Sequence, residues 1–567
     1  MDKDLVLKHA LNNAVKHNGT CMNGSVIAGV LGEKPELKNN IKELAGEVGK
    51  TVVEVNSMSK EEQVKKLEEL APEFLEEKKP EKKELPELPN AKKRKVIICF
   101  PPEPSGYPHL GHAYASLINY MYSEKYDGKF ILRFEDTNPK KSEKKFYREI
   151  LWGMRWLGID CSNILYMSDN IPRYYSSAEK LMKKGHLYVC SCAQSTIKDY
   201  RMKQKECRCR IRKPIENLKL WKDMLSGNTK SGDYIVRLKA DMKSKNTAMR
   251  DPTMFRIIKS PHPRTEEKYI VWPNYDFSAS IEDSKITHRF RDKGFELRVE
   301  VQNYIRKLLG LKNPWTYEFA RLNIQGSPTS KRETRELILE NKITGWDDFR
   351  IATLRGLKRR GIQPEAIKEL VKEVGYSKAE KTIDMDMLEA FNRKALDAKA
   401  HRYFFVPHPI ELEVIDAPEK KLLLKKHPHS EKEGVRRVHT KKNFYIDKAD
   451  MKDLKAGSVF RLKELYNVMI VEKSKNKIKA SFMGDALMPD TKKIQWVTKE
   501  GFIEVDIKIP KPLFVKGKYN PNSIETLMGY AEETIRDINI DSVVQFERFG
   551  FVKLDSKKGY HFVFCHK

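Results

Sequence analysis

Residues 96–134 constrain the fold more than any other stretch of the chain. "KVIICF" is a short apolar run with the texture of a strand. "PPEPSGYPHLGH" then breaks it with four prolines and two glycines. After the break, Leu110, Ala113, Tyr114, Leu117, Ile118, Met121 and Tyr122 fall at the i, i+3, i+4, i+7 spacing of a buried helix face. "KFILRFED" is a second strand. A strand, a helix and a strand in this succession suggest a parallel sheet of the Rossmann class. The broken segment then lies at the carboxyl end of the first strand, where open parallel sheets bind ligands. His109 and His112 sit there, at the start of the helix. A His-x-x-His pair is by itself more often structural or metal-binding than catalytic, and its position here shifts that reading. Gly106 and Gly111 let a phosphate approach the backbone. The helix N-terminus adds N–H donors and positive potential, and imidazoles can donate to phosphate oxygens as charge develops.

The rest of the chain exceeds what one core can organise, so three to five domains are expected from 567 residues. Residues 1–75 have helical periodicity. In "KEEQVKKLEELAPEFLEEKK", Val64, Leu67, Leu70 and Leu75 fall near one face. The Pro- and charge-rich stretch 78–95 reads as a linker. Residues 186–270 hold the cysteines and interrupt the α/β pattern, which resumes near Ile270 and runs to about 335. Residues 336–397 are mainly helical; "QPEAIKELVKEVG" has proline near a helix start and glycine at its stop. Beyond 400, "ELEVI", "NFYID", "SVFRL", "NVMIVEK", "FIEVDIKIP" and "VVQFERFGFVKLD" are short, alternating and turn-bounded, as in β-barrels or sandwiches. There is no internal repeat. The expected domains are thus 1–93, 94–185, 186–270, 271–335, 336–397 and 398–567.

Lys and Arg exceed Asp and Glu to give a net charge of +29, with charged residues at 33% of the chain. Such a surface fits adaptation to heat or salt, and equally a polyanionic partner such as nucleic acid. No run of 18 apolar residues occurs, so no membrane span is expected. The charged N-terminus lacks the apolar core of a secretory signal. Four of the eight cysteines lie in "CSC" (190–192) and "CRC" (207–209). With no export signal, an extracellular disulfide framework is not expected. Two Cys-x-Cys pairs can instead close a four-thiolate Zn²⁺ site at Cys190, Cys192, Cys207 and Cys209.

"PHLGH" resembles the HIGH signature of class I aminoacyl-tRNA synthetases. "GSPTSKRE" (326–333) is similar to their KMSKS signature: Thr329-Ser330-Lys331-Arg332 matches a Met-Ser-Lys-Arg form, with Pro328 in place of the first lysine. "FPPEPSGYPHLGHA", "ILRFEDTNP", "YDFSASIED", "YEFARLNI" and "GWDDFRIATLRGLKRRG" resemble the glutamyl/glutaminyl branch over almost the whole chain. The helical N-terminus and "VVQFERFGFVKLD" resemble its archaeal-type glutamyl members. The fold implied is a Rossmann catalytic domain with an inserted acceptor-end domain, helical N-terminal and stem-contact domains, and two C-terminal β-barrels that bind the anticodon.

What the resemblance implies about chemistry is an ATP-dependent ligase. It activates glutamate as an adenylate and transfers it to the terminal adenosine of tRNA-Glu in the cytoplasm, with Mg²⁺ on the phosphates, a structural zinc, and a monomer as the expected state. His109, His112 and Lys331 are then the catalytic residues. Glu103, Pro104, Ser105, Gly111, Arg321, Leu322 and Ser330 line the ATP site. Glu135 holds the substrate ammonium, Tyr275 lines the side-chain pocket, and Arg291 takes the γ-carboxylate. The fork of a guanidinium suits a carboxylate. Arg350, Arg355, Lys358, Arg359 and Arg360 contact tRNA phosphates. The resemblance departs at Cys99, since the family usually has arginine before "FPP". Arg291 argues against a glutaminyl-tRNA synthetase. Intact His109, His112, Glu135 and Lys331 argue against a non-catalytic tRNA-binding protein on the same fold.

Overall fold

The structure, a computed structural model, describes residues 3–17, 19–75, 85–328, 330–489 and 491–567. The chain forms two compact units, Met1–Glu84 and Leu85–Lys567. Thr329 and the first part of the expected linker, 78–84, lie outside the described residues.

The first unit is helical. Helices Lys3–Lys16, Asn23–Glu33, Ile41–Asn56 and Lys60–Leu70 pack around Leu5, Leu11, Val26, Val30, Leu44, Val48 and Leu67. Each fully buried leucine contributes about 1.5–3 kcal/mol. Ser59 caps the last helix with Glu62 in a reciprocal capping box. The face expected of this helix is rotated. Gln63 and Leu67 are buried, whereas Val64 is 40% exposed and Leu75 lies past the helix end. Gln63 can turn inward because its amide donates to the carbonyls of Gly19 (3.0 Å) and Val55 (2.8 Å), so its burial leaves no donor unpaired.

The second unit is built on a five-stranded parallel sheet. Its strands are β1 (Ile97–Phe100), β2 (Lys129–Phe134), β3 (Ile164–Tyr166), β4 (His288–Asp292) and β5 (Trp315–Phe319), in spatial order β3-β2-β1-β4-β5. Strand order therefore reverses between β1 and β4, which makes the crevice beyond their carboxyl ends the place for a ligand. The two faces differ sharply. Ile98, Phe100, Phe130, Leu132, Phe134 and Phe290 enter one core with helix Leu110–Lys125. The alternating positions on the other face are Cys99, Ile131, Arg133, Arg289 and Arg291, covered by helices Tyr275–Glu282 and Glu296–Leu309. Residues 85–91, read as linker, are docked on this body. Leu88 is buried, its N–H donates to the Tyr126 hydroxyl at 2.7 Å, and Pro86 O accepts from Tyr122.

Between β3 and β4, strands Leu187–Cys190, Ile235–Leu238, Thr253–Ile257 and Val271–Pro273 form an antiparallel sheet. Its core recruits helix Ile171–Lys183 before it and Phe277, Ile281, Val301 and Ile305 after it. After β5, helices Leu354–Arg360, Pro364–Val374 and Met385–Asp397 pack Leu354, Leu357, Ile367, Leu370 and Leu388 into the same core as the parallel sheet. Gly361 ends the first of these at φ 91°. A Cβ there would lie 2.3 Å from Cys565 Sγ, so both conformation and space require glycine.

Beyond residue 400 lie two seven-stranded sheets, each with its own core. In one, Arg402–Tyr403 pairs at one edge and Phe405–Val406 at the other. In the other, Lys493–Ile494 and Trp496–Thr498 do the same. A single stretch spanning both edges brings each sheet round to near closure as a barrel, which removes exposed edges. The alternating segments expected from sequence, such as Pro409–Ile415, Asn467–Lys473 and Phe502–Pro510, are strands of these barrels.

Candidate active site

The loop after β1 delivers two imidazoles to the crevice. His109 is the N-cap of helix Leu110–Lys125, and the two histidines cap it between them. Gly111 N–H donates to His109 Nδ1 (3.1 Å), and His109 N–H donates to His112 Nδ1 (3.3 Å). Both Nδ1 atoms are thus acceptors. In the neutral ring the proton then sits on Nε2, which becomes a donor for an incoming anion. Both rings are pushed toward the neutral form, although His109 remains exposed to solvent. The surrounding protein first, and the Arg321 charge second, bring His109 down to about 4; burial and then His109 push His112 well below the ordinary range. A Cβ at position 111 would lie 2.9 Å from the His109 ring, so any larger residue there would shift that imidazole.

Lys331 reaches the same loop from the other signature. A Cβ at Gly106 would lie 3.0 Å from Lys331 Cδ and 3.3 Å from its Nζ, so the lysine stem crosses bare backbone. Its ammonium is 5.0 Å from the Phe146 ring, and burial, then Arg335, lower its affinity for the proton. Ser330 caps helix Lys331–Leu339 by accepting from Glu333 N–H. Opposite, Ser105 donates to Glu103 (2.8 Å), whose other oxygen faces Lys141 at 3.4 Å, and Pro104 is buried. Arg321 is exposed and donates to Asp292. The Leu322 side chain belongs to the core, so only its main chain can face a nucleotide.

The polar face of the sheet forms a second cluster beside this one. Asp283, fully buried, accepts from Arg133 (2.8 Å) and from Arg289. Although burial works against it, those two guanidiniums hold its carboxyl at about 2. Glu135, at the end of β2, is 3.4 Å from Arg133. Burial outweighs that guanidinium and pushes Glu135 up to about 8. Arg291 is 7% exposed. It donates to Gln302 Oε1 (2.9 Å) and to the Tyr275 hydroxyl, lies 4.7 Å from the Phe295 ring, and leaves its Nε without a partner. No carboxylate of the described residues lies within 4.0 Å of it. Arg291 therefore has no carboxylate in direct contact, only the longer-range charge of Glu135, which leaves its guanidinium able to receive an anion. Cys99 is buried on this face beside Ile131, and the cationic charge acting on it comes from Arg133 of the adjoining strand.

Sequence reasoning missed Arg133, Asp283, Arg289 and Gln302. For Arg289 the signal was present in "HRFRD", where charge alternates with an aromatic at strand period.

The four cysteines of the insertion converge. Their sulfurs all lie within 4.8 Å of one another, with Cys190–Cys207 and Cys192–Cys209 at 3.9 Å. Thiolates about 2.3 Å from a tetrahedral zinc stand roughly 3.8 Å apart, so the residues fit that ion. Fully buried Arg237 donates to Cys207 Sγ (3.6 Å) and supplies positive charge to the cluster.

The expected phosphate contacts are placed otherwise. Arg350 is buried, with its guanidinium on Asp348 (2.9 and 2.7 Å) and on the Ser523 hydroxyl. Arg360 is held by Glu389. Each would have to leave the carboxylate it holds, Asp348 or the half-buried Glu389, to reach a phosphate. Arg355 pairs with Glu149 (2.8 and 3.1 Å) and lies 3.5 Å from the Trp152 ring. Lys358 pairs with Asp541, and Arg359 grips Asp555 at 2.9 and 2.7 Å. These pairs join helix Leu354–Arg360 to helix Lys144–Trp156 and to the C-terminal sheets.

The catalytic-domain profile of the class I tRNA synthetases (E and Q) matches residues 95–398. Two anticodon-binding-domain profiles of the same group match 400–483 and 493–555. The chain is 42% identical to the glutamate–tRNA ligase of Thermococcus kodakarensis, over 100% of this chain and 99% of the relative. It is 42% identical to that of Pyrococcus horikoshii over 98% and 97%, and 39% identical to that of Nitrosopumilus maritimus over 100% of both. With two signatures meeting in one crevice and these matches spanning its length, the chain belongs to the class I tRNA synthetases of the glutamyl/glutaminyl (E and Q) family.

Proposed function

We propose that this ligase is specific for glutamate and charges tRNA-Glu. The observation that carries the reading is Arg291, a buried guanidinium held only by neutral groups. A γ-carboxylate would compensate it with paired charge-assisted hydrogen bonds. An amide would set an NH₂ donor against the guanidinium's own donors.

In this reading the α-ammonium rests on Glu135 and the aliphatic stem passes Tyr275. The α-carboxylate attacks the α-phosphorus of ATP; the bond from that phosphorus to the bridging oxygen breaks, and pyrophosphate leaves with the electron pair. The Nε2–H groups of His109 and His112, and the Lys331 ammonium, donate to phosphate oxygens as charge builds. Glu103, Pro104, Ser105, Gly111, Arg321, Ser330 and the main chain of Leu322 hold the nucleotide. The 2′-hydroxyl of the terminal adenosine then attacks the adenylate carbonyl, AMP departs, and no covalent enzyme intermediate forms. Mg²⁺, when bound, neutralises charge on the departing phosphates. Residues 186–270 meet the acceptor end, 336–397 the stem, and the barrels the anticodon. Among the described residues no helix is long and apolar enough to cross a membrane, and we assign the enzyme to the cytoplasm.

Charging of purified tRNA-Glu and tRNA-Gln with each amino acid tests this. Glutamate on tRNA-Glu is expected to exceed glutamine by about 10²-fold or more, taking about 3 kcal/mol for a guanidinium left unpaired. Equal charging with glutamine defeats the reading. The zinc assignment is tested by elemental analysis of chelator-washed protein, with about one Zn per chain expected for a closed four-thiolate site. Less than a tenth of that, with activity intact, defeats it.

A further inference from the structure

Of the three arginines on the polar face of the sheet, two are answered by a carboxylate and one is not. Arg133 and Arg289 share Asp283. Arg291 has an amide instead. Gln302 Oε1 accepts from Arg289 Nη1 (2.8 Å) and from Arg291 Nη1 (2.9 Å). The amide cannot turn round, because its Nε2 donates to Asp276 Oδ1 (3.1 Å), and Asp276 is itself paired with Arg298 at 2.6 Å. Gln302 has no exposed surface at all. It is a rigid, neutral acceptor sitting where a carboxylate would fit equally well in shape.

We propose that Gln302 sets the selectivity of this pocket by staying neutral: it fixes the Arg291 guanidinium in place without cancelling its charge. The inference rests on the glutamate reading above and adds a residue that does not itself touch substrate. A buried arginine needs its donors satisfied, or its side chain wanders. A carboxylate would satisfy them and also neutralise the cation, leaving nothing for the substrate to compensate. An amide oxygen provides the first without the second. Gln302 is therefore a positioning residue whose lack of charge is its contribution.

Gln302→Glu tests this, since it preserves shape and replaces the amide by a carboxylate. An internal ion pair with Arg291 then competes with the substrate's γ-carboxylate. KM for glutamate is expected to rise at least tenfold and the preference for glutamate over glutamine to narrow. KM for ATP, and kcat at saturating glutamate, stay within about threefold. The new carboxylate faces Asp276, so the paired variant Asp276→Asn/Gln302→Glu restores a donor–acceptor contact in the opposite sense. It keeps the test valid should the single variant fold poorly. Arg291→Cys runs in parallel. If Arg291→Cys raises KM for glutamate while both Gln302 variants leave it within twofold of the parent, the proposal falls and the glutamate pocket stands. If Arg291→Cys leaves KM unchanged as well, the pocket reading falls and takes the proposal with it. A rise in KM for ATP equal to that for glutamate marks a merely structural role and also overturns the proposal.

Discussion

Two arginine-rich stretches of this chain look alike in sequence, and Arg291 of the first behaves in the fold as the opposite of the arginines of the second. In "HRFRD", Arg291 is buried against an amide, a hydroxyl and an aromatic ring. In "DDFRIATLRGLKRRG", Arg350, Arg355, Arg359 and Arg360 each have a carboxylate of their own. The first is a cation looking for an anion from outside; the others have finished their chemistry inside the protein. An arginine's role here depends on where its countercharge lies. For Arg355 and Arg359 that countercharge is 206 and 196 residues away along the chain. No local pattern can display it.

The comparison breaks most visibly in the buried set. Arg350→Ala leaves Asp348, which has no exposed surface, with only Thr344 and main-chain donors. The expected cost is about 3 kcal/mol, the lower end for breaking a buried pair. It is read as a lowered denaturation midpoint, with KM for glutamate unchanged. Arg291→Cys is expected to do the reverse. The kcat/KM for glutamate falls by about 10², from the loss of roughly 3 kcal/mol of charge-assisted contact. The midpoint moves less than in Arg350→Ala, because no carboxylate is orphaned. A large loss of stability in Arg291→Cys, with unchanged kcat/KM, would place Arg291 with the structural set.

What was legible follows the same line. The strand–turn–helix of 96–125, its two histidines, the paired cysteines and the alternating strands beyond 400 are local patterns with periods of 2 or 3.6 residues, and the fold contains each of them. The helix at 60–70 was legible as a helix but not in its orientation. Gln63 replaces Val64 inside because of three carbonyls, two of them in other elements. The insertion looked bounded at 186 and 270, yet its core draws on Tyr174, Phe277 and Ile305, since helices on either side close over the antiparallel sheet. Within the candidate site, residues on the loops and strand ends were visible. The buried supports Asp283 and Gln302 were not, because they act through partners on other elements.

Glu135 sharpens the comparison through pH. Burial, opposed by Arg133, holds it at about 8, so below that pH the empty pocket carries a protonated carboxyl. An ammonium needs the carboxylate, so binding must expel the proton. The sign follows directly: kcat/KM for glutamate rises by up to tenfold per unit between roughly pH 6 and 8, then levels. Glu135→Gln flattens this rise. A profile already flat over pH 6–8 in the parent enzyme would mean that Glu135 does not meet the ammonium.

The smallest effect is expected at Arg359, and it discriminates most finely between the two kinds of arginine. Its fork on Asp555 is partly exposed, so removing it with Arg359→Ala costs about 1 kcal/mol, less at high salt. If Arg359 is a clamp, KM for tRNA changes little, and its dependence on salt keeps the same slope. If it is instead a phosphate contact, KM for tRNA rises, and the slope of log KM against log salt falls by about one contact's worth. Asp555→Asn gives the mirror test. It removes the closer acid and leaves the guanidinium with only the longer contact to Asp347 (3.5 Å), so it moves an arginine of the satisfied set toward the state of Arg291. Tighter tRNA binding with a steeper salt dependence is then expected, because a cation released from its internal partner becomes available to phosphate. Unchanged binding in Asp555→Asn together with weakened binding in Arg359→Ala would mean that Arg359 already faces the tRNA, and the division drawn between the two stretches would fail at that residue.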